Sequence, residues 1–500
     1  MTTTHKIVSN VFYYFLDFVT ITLAGYIFWV LMGKLLLPQQ YGVLTAILAL
    51  FYILSSVASL GLVESLPKLV SELTKKGQPL AAGGMIKYSF KIAAAFGAVF
   101  SLTLYFASGW LSNVLYNNTV MVVPIQLLAL LLLAANLGNV TKAALQGLQN
   151  FKSMFIADLI GNVVRLISSV GLVLIGWAAI GGAAAWALNF IFVAVVCAIF
   201  LMSLKLPSGT FDKAIFWRFS SMSTLSLLGY YLILQGGILV LAALSGAEIV
   251  GYFGVAVLFG QILIFVPAVL TGVLLPNLSE LWVEHKDAAK KLLSAALKLT
   301  IVTLLPFALL MILGSRMLVE FIYSKSYLPA ASYFPFYIIG SLLYGVVVLL
   351  LIAMYSIGRP ATRLAIITVG AIINIGLCFF FIPTIGATGA ALAFLTSQVL
   401  MLITSLLLLN KTMPMYFSKK SLWLIPVVAI FSAIVWSHNL TNLLWLKIVV
   451  ILAALAAYMI LLFATKVIGR RELVLLDYFS DKFGFGVVKK LSKSMVDLFD

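Results

Sequence analysis

The stretch MFIADLIGNVVRLISSVGLVLIG, residues 154–176, is apolar enough to lie in lipid, yet it carries an acid, an amide, a guanidinium and hydroxyls. A membrane-spanning helix needs roughly 20 mostly apolar residues to cross ~30 Å of hydrocarbon, and this run suffices. Asp158, Asn162, Arg165 and Ser169 follow one another at spacings of 4, 3 and 4. At ~100° per residue that keeps them within about 60° of one helical face. A polar stripe this long inside a span implies that the helix faces a water-filled cavity.

Working outward, fourteen windows meet the same criterion: 11–33, 43–66, 83–107, 120–141, 154–176, 179–203, 217–241, 250–274, 292–314, 331–356, 361–383, 386–410, 421–437 and 443–466. Only helices or closed barrels satisfy their backbone in lipid, and these runs are too long for barrel strands. The expectation is therefore an all-α membrane protein with 14 transmembrane helices. Composition agrees: 63% of the residues are hydrophobic and only 9% charged, against about 25% charged in soluble domains. Mean hydropathy is +1.16. A soluble enzyme, a disulfide-stapled secreted scaffold and a disordered chain are excluded. Cys197 and Cys378 lie in apolar runs, and His5, His285 and His438 are scattered singly. No disulfide framework or metal site is expected from them. The first window exceeds a signal-peptide core and ends without a small-residue cleavage site, so it reads as a retained span.

The formal charge of +17 is explained by topology rather than by nucleic acid. Of the 32 Lys and Arg residues, only Lys34, Arg316, Lys325 and Lys447 fall on one side, and Arg165 lies within a span. All others fall on the opposite side, which the positive-inside rule makes cytoplasmic. Both termini then face the cytoplasm in the cell membrane. Beyond the last window, residues 467–500 place Val488, Leu491, Met495 and Leu498 on one face with lysines off it, as in an amphipathic helix on an anionic leaflet.

The chain also repeats itself. Gly42 and Gly251, Leu66-Pro67 and Leu275-Pro276, and Gly161 and Gly370 all match at an offset of 209 positions. Ile180-Gly181-Gly182-Ala183-Ala184 resembles Ile385 to Ala391 after a small change in length. Glycines recur in any membrane bundle because they permit close packing, but that does not explain a shared register. Six spans per copy is an even number, so the expected layout is two six-helix lobes, 1–205 and 206–411, in parallel pseudo-two-fold repeat with a site between them. Two extra helices, 412–466, and the tail, 467–500, follow.

Leu37-Pro38-Gln39-Gln40-Tyr41-Gly42, its partner Leu244 to Tyr252, and the turn Gln146-Gly147-Leu148-Gln149-Asn150-Phe151 carry a resemblance to a known family. With the two lobes and two extra spans, the chain resembles the polysaccharide-biosynthesis or O-antigen-type flippases of the multidrug/oligosaccharidyl-lipid/polysaccharide (MOP) exporter superfamily, from about Lys6 to Lys466. It departs from them at Gln235-Gly236, where many members have an Asp followed by a basic residue. The resemblance implies movement of polyprenyl-linked sugars from the cytoplasmic to the outer leaflet by alternating access.

Intramembrane ionisable residues cost about 2.5–3.5 kcal/mol each at mid-span, so each demands a reason. The permanently charged, forked Arg165 suits bidentate binding of a phosphate. The other reading is structural ion pairing, and because Asp158 lies seven residues away, ~10 Å of rise, each then needs a different partner. The position equivalent to Arg165 at the 209 offset is Asn374, so charge resides in the first copy. Asp17, on a face with Asn10 and Tyr14, and Glu64 are candidates for ion coupling or gating. Ser220, Thr224, Tyr231 and Gln235 form a further stripe; Tyr231 and Gln235 suit a sugar, or alternatively interhelical hydrogen bonds. Lys142 is the first choice among cytoplasmic-side lysines for drawing in a pyrophosphate.

These readings lead to a lipid-linked oligosaccharide flippase, with a polyprenyl-linked glycan and the bilayer as partners, no nucleic acid, and action as a monomer. No P-loop or nucleophile motif is present, so no cofactor is expected and energy comes from a Na⁺ or H⁺ gradient or from product consumption. The alternatives are an organic-cation antiporter of the same superfamily, disfavoured by Arg165, and a membrane glycosyltransferase or polymerase, disfavoured by the short loops.

Overall fold

A computed structural model describes residues 3–116, 121–414, 423–436, 444–465 and 467. The described residues are almost entirely helical and contain no strand. The helices are α1 (Thr3–Leu35), α2 (Pro38–Ala58), α3 (Leu62–Lys75), α4 (Pro79–Phe106), α5 (Ser108–Tyr116), α6 (Val122–Gly147), α7 (Phe151–Leu172), α8 (Ala178–Ser203), α9 (Lys213–Leu244), α10 (Ala247–Glu284), α11 (Lys286–Leu313), α12 (Ser315–Ile322), α13 (Phe334–Ser356), α14 (Pro360–Ile385), α15 (Ala387–Asn410), α16 (Leu424–Trp436) and α17 (Leu444–Ala464). Among the described residues, 11 stretches are long and apolar enough to cross a membrane. One of them, Phe151–Ser203, is a hairpin: a π-helical turn at Val173–Trp177, with Gly176 at φ +99°, separates α7 from α8. Two further apolar helices, Pro426–Trp436 and Val449–Leu462, are shorter. From residue 468 on, the expected amphipathic tail lies outside the described residues.

Local chemistry sets the helix ends. Leu37 is extended, Pro38 occupies the first helical turn where a missing N–H costs nothing, and the Gln40 side chain accepts from the Leu37 N–H at 3.1 Å. The Asn150 side chain accepts from the Ser153 N–H at the start of α7. Asp212 accepts from the Ala214 and Ile215 N–H groups at 2.8 and 3.1 Å at the start of α9. These side chains satisfy donors that have no partner within the helix.

The second window, 43–66, is broken where an unbroken span was expected. Leu60 at φ 49° and Gly61 at φ 65° divide it into α2 and the amphipathic α3. The break is held from outside. Ser220 of α9 donates to the Leu60 carbonyl, and Asn136 of α6 donates to the Ala58 and Ala93 carbonyls at 3.1 and 2.9 Å. A Cβ on Gly61 would overlap the Ser220 carbonyl.

Two compact units result. The first comprises Met1–Gly254, Ile322–Ser326 and Ala371–Ala390. Within it α7 packs on α8 and α1, α6 on α8 and α4, and α2 on α9. A buried cluster around Leu66, Val70, Ile86, Val140 and Phe216 joins α3, α4, α6 and α9. Gly42 of α2 faces Ala247 and Gly251 of α10, and Gly251 in turn faces Pro38 so closely that a Cβ at either glycine would overlap a carbonyl. The second unit comprises Val255–Phe321, Tyr327–Gly370 and Ala391–Asp500. There α16 and α17 pack on each other and on α11. Tyr458 stacks edge-on against Phe431 and donates to the Val302 carbonyl at 2.9 Å.

Candidate functional site

The stripe on α7 is buried as a whole: Asp158, Asn162, Arg165 and Ser169 are all shielded from solvent. Two of its members are satisfied by their own helix. Asn162 donates to the Asp158 carbonyl at 2.7 Å, and Ser169 donates to the Leu166 carbonyl at 2.9 Å. The charged members are not, and their partners come from other helices.

Asp158 pairs with Lys142 of α6, whose ammonium also lies 3.6 Å from Asp17 Oδ2 on α1. One lysine thus bridges two carboxylates and ties three helices together. Asp17 is 3% exposed, and its Oδ1 has no hydrogen-bond partner among the described residues. Lys142, expected to attract a pyrophosphate, is engaged in these ion pairs, and it supplies the separate partner that the Asp158–Arg165 spacing demanded. Burial of this kind makes breaking one partner far costlier than the net worth of the group.

Arg165 has a different environment. It is 2% exposed, its Cζ lies 4.3 Å from the ring centroid of Trp186 on α8 and 5.4 Å from that of Phe28 on α1. No carboxylate lies within ion-pairing distance of it among the described residues. Its Nε and Nη2 have no hydrogen-bond partner there either, nor do Trp186 Nε1 and Asn189 Nδ2 on the neighbouring helix. Stacked aromatic faces stabilise a desolvated guanidinium by about 2 kcal/mol, which holds the fork in place without consuming its N–H donors. Buried donors without acceptors are expensive, and these four nitrogens are all donors with no acceptor capacity. Gly161, one turn before Arg165, lets α8 approach, since a Cβ there would lie 3.1 Å from Asn189 Nδ2.

The aromatic surround reaches further. Tyr52 of α2 meets Trp186 edge-on at 6.1 Å and stacks on Tyr231 of α9 at 5.4 Å with planes 13° apart. Tyr231 is thereby brought to the Arg165 neighbourhood, and Gln235 is buried one turn further along α9. Glu64 is exposed in the first turn of α3 and is not part of the Asp17–Lys142–Asp158 group. Asn374 is buried and donates to the Ile233 carbonyl at 3.0 Å. Sequence reasoning missed Phe28, Tyr52, Trp186 and Asn189. The spacing of Trp186 and Asn189, three residues apart in an apolar span, was the available signal.

This fold is known from solved transporters. The lipid II flippase MurJ in an inward closed conformation superposes with a TM-score of 0.74, covering 90% of this chain and 97% of that one at 16% identity. An inward-facing multidrug resistance MATE family transporter of the MOP superfamily gives 0.69, covering 79% and 94% at 15% identity. A MOP superfamily transporter from Pyrococcus furiosus, whose binding pocket is described as having reversed polarity, gives 0.58, covering 82% and 94% at 15% identity. At these identities the likeness is one of fold, and it defines the class: a helical membrane protein with the architecture of these transporters. A family model described as "Polysaccharide biosynthesis protein" matches residues 31–332, and the chain belongs to that family. An uncharacterized membrane protein of Methanocaldococcus jannaschii is 26% identical over 238 residues, 46% of this chain. The match spans about half the length of that curated relative, 47%.

Proposed function

We propose that this protein is a flippase for polyprenyl-phosphate- or polyprenyl-diphosphate-linked oligosaccharides. It works by alternating access between two six-helix lobes of a chain of fourteen spans, in the cell membrane with both termini cytoplasmic. The observation that carries the reading is Arg165, a buried guanidinium held on aromatic faces with Nε and Nη2 uncommitted. Those two donors suit a phosphate, which presents several acceptor oxygens to a planar fork. Tyr52, Tyr231 and Gln235 offer the adjoining aromatic face and amide to the sugar. Family membership and a fold shared with a protein described as a lipid II flippase support the same substrate class.

The lobe layout is supported by the helix contact at Gly42. Gly42 meets Ala247 while Gly251 meets Pro38, and Thr45 meets Gly254. At the 209 offset Pro38 corresponds to Ala247, Gly42 to Gly251 and Thr45 to Gly254. The first two contacts are therefore equivalent to each other and the third pairs two equivalent residues, the reciprocity expected beside a two-fold axis. The organic-cation antiporter reading draws on Asp17 and Glu64, but Asp17 is already paired with Lys142, and Arg165 repels a cationic drug.

The test uses purified protein in liposomes with a fluorescent polyprenyl-diphosphate sugar. Arg165→Ala should reduce flipping at least tenfold with an unchanged size-exclusion profile, and Arg165→Lys should restore part of it. Wild-type flipping by Arg165→Ala excludes Arg165 from the substrate path.

A further inference from the structure

Among the described residues, the ionisable side chains of the first unit buried to nine-tenths or more are Asp17, Asp158 and Arg165, apart from tyrosines and cysteine. Lys142, with 23% of its side chain exposed, completes the group. Two carboxylates, one ammonium and one guanidinium sum to zero. The distribution within that sum is uneven. Lys142 touches both carboxylates, and Arg165 touches neither, lying on Trp186 and Phe28 instead. The charge of Arg165 is therefore balanced at a distance, by the carboxylate charge that Lys142 leaves over.

An anion docked on Arg165 takes over that balancing role and leaves the Asp17–Lys142–Asp158 group with one uncompensated negative charge in a medium of low dielectric. We propose that binding of a phosphate headgroup at Arg165 is coupled to protonation of the Asp17 carboxylate from water, so that anion and proton each tighten the binding of the other. The proton goes to Asp17 because its carboxylate lies 3.6 Å from the Lys142 ammonium, whereas Asp158 is in the closer contact with that ammonium. A proton suits the place better than a metal cation. Hard cations require several oxygen ligands, and the Lys142 ammonium already stands between the two carboxylates. The other ionisable groups facing Asp17 are Tyr14 on its own helix, Lys142 from α6, Asp158 from α7 and Cys197 from α8. Tyr52 of α2 faces Arg165. Linkage is reciprocal: the factor by which the proton tightens anion binding equals the factor by which the anion tightens proton binding. For unit charges ~10 Å apart at an effective dielectric near 20, that factor is roughly tenfold.

This inference rests on anion binding at Arg165, and the experiment separates the two. The full chain in nanodiscs is titrated calorimetrically with a short-chain prenyl diphosphate sugar, whose phosphates stay ionised throughout the range used. Buffers of different ionisation enthalpy count the protons taken up. Wild type should take up a fraction of a proton per sugar bound, about half at the pH where uptake is greatest, equally in sodium and potassium salts. Asp17→Asn should take up none, with affinity independent of pH: equal to wild type at the acid end of the range and roughly tenfold tighter than wild type at the alkaline end. Binding without proton uptake in wild type overturns the coupling while leaving the Arg165 site standing, and so does replacement of the proton by sodium. Undiminished binding by Arg165→Ala, or no binding by wild type, overturns the site and the coupling with it. The wild-type proton count decides the matter even where Asp17→Asn does not fold.

Discussion

At Lys142 a single ammonium holds two carboxylates on two other helices, and the energetics of that arrangement are asymmetric. Replacing the lysine leaves two acids facing each other with no countercharge, whereas the intact group contributes little net stability. Lys142→Met should destabilise the protein by about 3–5 kcal/mol, by the usual cost of orphaning a buried charge. The double substitution with Asp158→Asn should lose less than the two single losses added together, because both act on one network. Thermal unfolding in detergent measures both, and strict additivity would remove the bridge from the account. The stripe Asp158, Asn162, Arg165 and Ser169 was legible in the sequence, since residues on one helical face follow from the 3.6-residue period. What faces it was not. Lys142, Asp17, Trp186 and Phe28 arrive from other helices of the bundle, and no local rule links them to the stripe.

Among the elements, the break between α2 and α3 is the feature that hydropathy alone could not see. Residues 43–66 are apolar enough to continue as one helix, yet Leu60 and Gly61 adopt left-handed backbone. Hydropathy reports whether a segment belongs in lipid, not where neighbours intercept its carbonyls, and here Ser220 and Asn136 do so. Gly61→Ala should cost the ~1–2 kcal/mol of a left-handed L-residue and, in addition, force α3 away from α9. Gly77 has similar backbone, φ 71°, with open space where a Cβ would stand, so Gly77→Ala isolates the backbone contribution. The expected order of melting temperatures is wild type, then Gly77→Ala, then Gly61→Ala; equal effects of the two alanines would show that the α9 contact is unimportant. The hairpin of α7 and α8, by contrast, follows the sequence expectation of two spans, because Gly176 interrupts a run too long for one crossing.

For the whole molecule, the charge asymmetry makes a prediction that labelling can check. Cys197 and Cys378 are both buried, so the native thiols give a low background. In intact cells a membrane-impermeant maleimide should modify Lys325→Cys and leave Ser208→Cys untouched until the membrane is permeabilised. Both positions are exposed in the fold, so the reverse pattern would invert the proposed topology. The sequence by itself determined that this is a helical membrane protein with a polar stripe on one face of a span, and it raised the expectation of an internal repeat, because composition and short-range periodicity act through the chain's immediate surroundings. Only the tertiary structure decided which charges meet. It set Lys142 between Asp17 and Asp158 and left Arg165 on aromatic rings with its donors uncommitted. The physical reason is that desolvation and ion pairing depend on distances across helices, and those distances exist only once the helices have packed.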